Sequence, residues 1–238
     1  MTATDRPYNL AIETSGRSGS ITLGQHDSVI ATADLPHKRR HNVELIPMID
    51  QLCKGHGITP ALIGQVYVSL GPGSFTGLRV GIATVKMLAL AHPIQVFGIP
   101  TLDVLAENAP KEAEHVAVCL NLKRDTVHCA VYQRTADNWQ PTVEPALRTL
   151  IELLELAPRP LHLIGDPLPP LPDSTQDVTV LPPTYATAQS EAVYKLGRLA
   201  AATRPADDPM KLAPLYIREP EAVTLWNEKH GPPPGKET

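Results

Sequence analysis

The sequence predicts an α/β protein made of two similar halves, each with a mixed sheet. Strand-like apolar runs alternate with helical stripes, and the order strand hairpin, helix, strand, helix occurs twice along the chain. The 238 residues suffice for two such units of roughly one hundred residues each, with a real core. No residue-level repeat accompanies the duplication, so only element order is duplicated.

The elements follow in order. Residues 8–13 read as a buried strand, Thr14-Ser15-Gly16 as a turn, and residues 19–24 and 28–35 as alternating strands that complete an opening meander. A helix is expected over 42–56. Asn42 is its N-cap, and Val43, Ile46, Ile49, Leu52 and Cys53 form its apolar stripe; Pro47 either kinks it or marks its true start. A turn at Thr59-Pro60 leads to a fully apolar strand at 65–70. A glycine-rich loop follows, then a second long helix from Gly77 to Ala91, a strand at Gln95–Ile99 and a helix from Thr101. The second half reads as a hairpin (115–121 and 127–134), a strand at 142–146, a helix at 148–156, a strand at 161–165 and a helix at 186–203. The boundaries expected are 1–105 and 106–218, with the last helix and strand free to pack back on the first half, and a proline-rich tail at 219–238.

Composition narrows the function. A net charge of -4 and a pI near 6.1 argue against a domain that grips nucleic acid by itself, because phosphate contacts need cations. Two Phe and two Trp offer no platform for stacked bases. Three cysteines without a CxxC argue against a disulfide framework or a zinc knuckle. The start lacks a signal-peptide pattern and no apolar run is long enough for a membrane span, so the cytoplasm is the default compartment and no membrane partner is expected.

The most informative stretch is Ser69 to Gly81, SLGPGSFTGLRVG. A strand ends, Gly71, Pro72 and Gly73 turn the chain, and Thr76 is placed to cap a helix that opens with Gly77 and Gly81 on one face. Free N–H groups at such a helix start make an anion site, so Gly71, Gly73, Ser74 and Thr76 are candidate phosphate-loop residues. A packed strand-to-helix turn is the competing reading. The spacing is not that of a P-loop, and no Gly-Lys-Ser/Thr follows. The two long helices also carry more apolar surface than one sheet contact needs: Leu45, Ile46, Met48 and Ile49 on one; Leu78, Ile82, Val85, Leu88 and Leu90 on the other.

The full string Gly71-Pro72-Gly73-Ser74-Phe75-Thr76-Gly77-Leu78-Arg79-Val80-Gly81-Ile82-Ala83 resembles the signature of the TsaB (YeaZ) family, paralogues of the catalytic TsaD proteins in the actin-like ATPase (ribonuclease-H-like) superfamily. Asn9–Thr14 resembles the family's opening phosphate-loop strand, His41–Met48 its H-x-x-x-L/I-L-P-M helix, Gly98–Leu102 its G-V-S/P-T-L step and Pro214–Arg218 its near-terminal strand. The likeness is dense over 8–105 and thin over 135–210. It implies an actin-like fold and adds Glu13, Thr14 and Ser15 to the candidate nucleotide loop. It also implies a partner face on the two long helices: Leu45, Ile46, Met48 and Ile49 with Gly77, Leu78, Gly81, Ile82, Val85 and Leu88. Gly81→Arg is then expected to weaken partner binding at least about tenfold in a folded monomer.

By the same resemblance, the chain is a non-catalytic scaffold or activator. It would pair with a TsaD-like catalytic subunit, a TsaE-like ATPase, or a second copy of itself, and reach tRNA only through the complex. That complex transfers a threonylcarbamoyl group to the adenosine beside the anticodon in tRNAs reading codons that begin with A. No tightly bound cofactor is expected, and ATP or ADP only within the complex.

Departures from the family pattern bear on this. Glu13 stands where the family has Asp, and Asn121 to His128 replaces its D-A-R-x-G-E-V-Y string. Glu13 therefore reads either as a strand-end acid or as a core-edge carboxylate satisfied by Thr14 or Ser15. TsaD relatives bind a metal through H-x-x-x-H; Thr101 and Leu105 stand there, so no metal is expected. His37 and His41 share that spacing, but Lys38, Arg39 and Arg40 between them would repel a cation, so a solvated basic turn is expected. The alternatives are a stand-alone ATP-dependent kinase of the same fold, weakened by Glu13 and Asn121, and a metallopeptidase, weakened by Thr101 and Leu105. Asp103 and Asp166 are further candidate acids, with no Ser-His-Asp or Cys-His order to join.

Overall fold

The computed structural model describes residues 6–35, 41–123, 126–136, 138–172 and 175–217. Its first half contains β1 (Tyr8–Glu13), β2 (Ser20–Gln25), β3 (Ser28–Asp34), α1 (His41–Gly55), β4 (Ile63–Gly71), α2 (Phe75–Ala91), β5 (Gln95–Pro100) and α3 (Thr101–Ala106). The second contains β6 (His115–Lys123), β7 (Thr126–Thr135), β8 (Asn138–Thr149), α4 (Leu150–Leu156), β9 (Leu161–Ile164), β10 (Val178–Val180) and α5 (Ser190–Thr203).

The two sheets repeat one topology. The first runs β3-β2-β1-β4-β5 and the second, read from its other edge, β8-β7-β6-β9-β10. In each, three strands pair antiparallel and two more are added in parallel. This pairing is the actin-like arrangement that the resemblance implies.

Strand alternation assigns the faces. Leu10, Ile12, Ile21 and Leu23 point to one side of the first sheet, where Leu45, Ile49 and Cys53 of α1 and Ile82 and Val85 of α2 cover them. Ala11, Tyr67 and Phe97 point to the other side. There they join Val116, Val118, Ala130 and Tyr132 of the second sheet, with Leu102 and Leu105 of α3 and Val193 and Tyr194 of α5 between. The outer face of the second sheet packs Cys119, Cys129 and Val131 under Leu150 and Leu153 of α4.

Although it belongs to the second half in sequence, α5 lies against β1, β4 and β5. Gln189 at its N-cap makes no side-chain cap bond; instead Ser20 Oγ on β2 accepts the Ser190 amide at 2.9 Å, and Ser190 Oγ is 2.7 Å from Thr22 Oγ1. A residue 170 positions away thus caps the helix. The close approach depends on Gly197, where a β-carbon would fall 2.2 Å from the Tyr67 ring.

Several expectations need correction. α1 opens at His41, one residue earlier than read, and keeps Pro47 inside. The α2 cap is Ser74, whose Oγ accepts the Gly77 amide at 3.2 Å, rather than Thr76. β8 is far longer than 142–146, α5 starts at Ser190 after a short 3-10 turn, and β10 had no counterpart in the sequence reading. Residues 214–217 form no strand; Leu215 donates a single backbone bond to Leu70 at 2.8 Å. The tail from 218, His37 and the side chains of His41 and Asn121 lie outside the described residues.

Candidate functional site

The candidate loop residues meet where β1 and β4 end beneath the start of α2. Glu13, Thr14 and Ser69 are fully buried and Ser15 nearly so. Glu13 Oε1 accepts the Ser15 amide at 2.5 Å, while Oε2 is buried without a donor. Burial pushes the Glu13 carboxyl up, and its hydrogen bonding to Ser15 only partly opposes this. The Thr14 amide points at Ser69 Oγ, 3.5 Å away, and Thr14 Oγ1 has no partner.

The glycine-rich loop is clamped onto this turn. Ser15 O accepts the Ser74 amide at 2.6 Å. A β-carbon on Gly73 would come within 2.4 Å of Ser15 O, one on Gly77 within 2.0 Å of Thr14 O, and one on Gly81 within 2.4 Å of Thr14 Oγ1. The glycines therefore let α2 lie directly on the β1 turn. Gly71, at φ +104, adopts a backbone that side chains disfavour. Thr76 sits exposed on the first turn of α2, apart from the buried group. As folded, the Ser15 amide is spent on Glu13 and the Gly77 amide on the Ser74 cap, so the arrangement is a packed junction.

Most of the proposed partner face lies inside the monomer. Leu45 and Ile49 of α1, and Gly77, Leu78, Gly81, Ile82 and Val85 of α2, are buried; Met48 and Leu88 are half-buried and Ile46 is exposed. The reason is the helical period: 45, 49 and 53, like 78, 82 and 85, face the sheet. Gly81 packs against Thr14, so Gly81→Arg would strike the monomer's own core.

The exposed outer face of α2 instead carries Phe75, Arg79, Met87 and Leu90, the last 75% accessible. The Arg79 guanidinium lies 3.7 Å from the Phe75 ring centroid, and its Nε donates to Tyr216 Oη at 2.9 Å. The Phe75 and Tyr216 rings are 5.0 Å apart. Phe75, Arg79 and Tyr216 sit in the quoted motifs without being singled out there; the i, i+4 spacing of Phe75 and Arg79 is the available signal.

At the metal position of TsaD relatives, Thr101 opens α3 and Leu105 lies one turn on, both buried. No group of three His, Cys, Asp or Glu side chains among the described residues is placed to hold a metal. The three cysteines are buried free thiols. No described helix is long and apolar enough to cross a membrane.

The family model of TsaD, tRNA N6-adenosine threonylcarbamoyltransferase, matches residues 35–169. The Bacillus subtilis tRNA threonylcarbamoyladenosine biosynthesis protein TsaB is 28% identical over 228 residues, 92% of this chain and 97% of that protein. This chain belongs to the TsaD family, in its TsaB (YeaZ) branch. Escherichia coli TsaB is 32% identical over 127 residues, 52% of this chain and 54% of that protein. The solved structure of YeaZ from Pseudomonas aeruginosa superposes with a TM-score of 0.72 at 22% identity, covering 89% of this chain and all of that one. The fold of YeaZ thus spans most of this chain.

Proposed function

We propose that the chain is a non-catalytic scaffold or activator subunit in tRNA threonylcarbamoyladenosine biosynthesis. In this reading it pairs with a TsaD-like catalytic subunit, a TsaE-like ATPase joins the pair, and tRNA is met through the complex. ATP or ADP would bind only in the assembled complex, and a homodimer is the alternative state of the same face. The names of the TsaB relatives support the pathway. The observation that carries the non-catalytic part is the packed junction: Glu13 is sealed, the Ser15 amide is spent on it, and Gly77 and Gly81 close over Thr14.

Two measurements test the proposal. Pull-down with the host's TsaD homologue is expected to retain the chain, and a failure to associate would remove the scaffold role. The purified chain with Mg-ATP is expected to show little hydrolysis. Sustained turnover by the chain alone would favour the kinase alternative.

A further inference from the structure

Away from the β1 junction, a cleft of about 260 Å³ opens between the two halves. It is bounded by α3, the β7–β8 pair and the second half of α5. Its walls are mainly apolar: Trp139 and Pro141 on one side, Leu196, Leu199 and Ala200 on the other. Such a slot with a few convergent polar groups is the usual form of a small-ligand site.

Two carboxylates stand in it. Asp103 Oδ1 accepts the Tyr132 hydroxyl at 2.7 Å, and Oδ2 receives no donor from the described residues. Glu107, with a side chain only 10% exposed, accepts Lys195 Nζ on Oε2 at 2.9 Å and keeps Oε1 buried without a donor. Glu144 bears on Asp103 as well. Burial first, then Glu144 and Glu107, push the Asp103 carboxyl up against the pull of the Tyr132 bond.

Lys195 is held by Glu107, and the two nearby arginines are committed elsewhere. Arg204, at the cleft wall, is held by Asp207 (Nη1–Oδ1 2.8 Å, Nη2–Oδ2 3.1 Å) and by Gly98 O at 3.0 Å. Arg134 stacks on Trp139 at 4.1 Å, but does not line the cleft and gives Nε and Nη2 to the carbonyls of Ala113 and Pro110. Asp103 is thus a carboxylate with one oxygen fixed and one lacking a proton donor, among other acids and beside an apolar slot. Asp103 is half-buried, and a carboxylate partly desolvated among other acids is stabilised by a counter-ion.

We propose that this cleft binds a primary alkylammonium group, with Asp103 as its counter-ion and the walls formed by Trp139, Leu196, Leu199 and Ala200 around its methylene stem. An ammonium on a carbon chain matches both the polar and the apolar part of the slot. A free polyamine and a lysine side chain share that chemistry. The inference is independent of the scaffold reading, because it concerns the opposite side of the first sheet and needs no partner subunit.

The test is titration of the full chain with n-pentylamine and with its neutral analogue n-pentanol. It is read by calorimetry and by the Trp139 indole N–H resonance, assigned with Trp226→Phe. Saturable binding of the amine is expected, with pentanol weaker by at least about tenfold. Asp103→Asn keeps an acceptor for Tyr132 and removes the charge; it is expected to lose at least about tenfold in amine affinity without lowering the unfolding midpoint. Ala200→Leu fills the slot and is expected to block the amine while leaving Asp103 in place. Spermidine binding more tightly than Nα-acetyl-lysine methylamide would identify a free polyamine as the source, and the reverse order a lysine side chain. No saturation up to about 10 mM amine, equal binding of pentanol, or unchanged affinity in a folded Asp103→Asn or Ala200→Leu chain would overturn the proposal.

Discussion

Gly81 and Thr14 form a contact in which one missing β-carbon sets how closely a helix approaches a strand end. In Gly81→Ala the new methyl would start 2.4 Å from Thr14 Oγ1 and must displace it. Overpacking of this kind costs about 1–3 kcal/mol, so denaturant unfolding should show a loss in that range. Thr14 Oγ1 makes no hydrogen bond, so Thr14→Ala removes the obstacle without stranding a partner. Adding it to Gly81→Ala should recover most of the loss, a coupling that two independent substitutions would not show. At Gly77 the obstacle is the Thr14 carbonyl oxygen itself, at 2.0 Å, and no side-chain change can relieve it. Glu13 offers a second test, through pH. Because its carboxyl is pushed up in the folded chain, the native state holds a proton over a span where the unfolded chain has released it. Stability should therefore fall as pH rises from the ordinary glutamate range through the raised value. Glu13→Gln should flatten that slope and raise the melting temperature near pH 8 by roughly 2–4 °C. A steeper slope in the variant would show that Glu13 is charged in the folded protein.

At the scale of elements, α2 separates two roles by its faces. The inner face is Gly77, Leu78, Gly81, Ile82 and Val85; the outer face includes Phe75, Arg79, Met87 and Leu90. If the scaffold reading holds, the outer face is the one able to meet a partner. Leu90→Arg should then weaken association with the TsaD-like subunit by at least about tenfold, roughly 1.4 kcal/mol, with an unchanged unfolding midpoint. Undiminished association would move the partner face off α2. The sequence made both long helices and the first meander legible, because Leu10, Ile12, Leu45, Ile49, Ile82 and Val85 repeat at strand or helix period and all reach the core. It did not show which apolar residues were surplus: Ile46 and Ile49 belong to one stripe as read, yet one is exposed and the other buried. That distinction depends on the angle at which α1 meets the sheet. β8 and β10 were under-read for a related reason, since both lie at a sheet edge with no fully buried side chain and so lack an apolar alternation. Of the cleft acids only Asp103 was legible, as a candidate acid with nothing to join. Its meeting with Glu107 in the cleft, with Glu144 near by, depends on the pairing of β7 with β8 and the packing of α3 between the halves.

In the whole molecule the two halves share topology but not independence. The inner face of the first sheet is covered by α3 and α5, and α5 comes from the far end of the chain. A fragment of residues 1–110 keeps α1, α2 and α3 but loses Val193 and Tyr194 from that face. It should lack a cooperative thermal transition and bind a hydrophobic dye, and a peptide of residues 187–206 supplied in trans should restore part of the transition. A fragment that melts cooperatively without the peptide would show that the first sheet can close on α3 alone.

The capping of α5 by Ser20 also sets a timetable. During synthesis β2 emerges early, yet the helix it caps lies 170 residues later in the chain. At about 5–20 residues per second the interval is roughly 10–30 seconds. From their own synthesis until its end Tyr67 and Phe97 lack one of their covering helices, so the nascent first half is open to chaperones and to mispairing with neighbouring chains. Ribosome-bound chains halted before Ser190 should therefore be sensitive to protease, and chains released after Thr203 should not be.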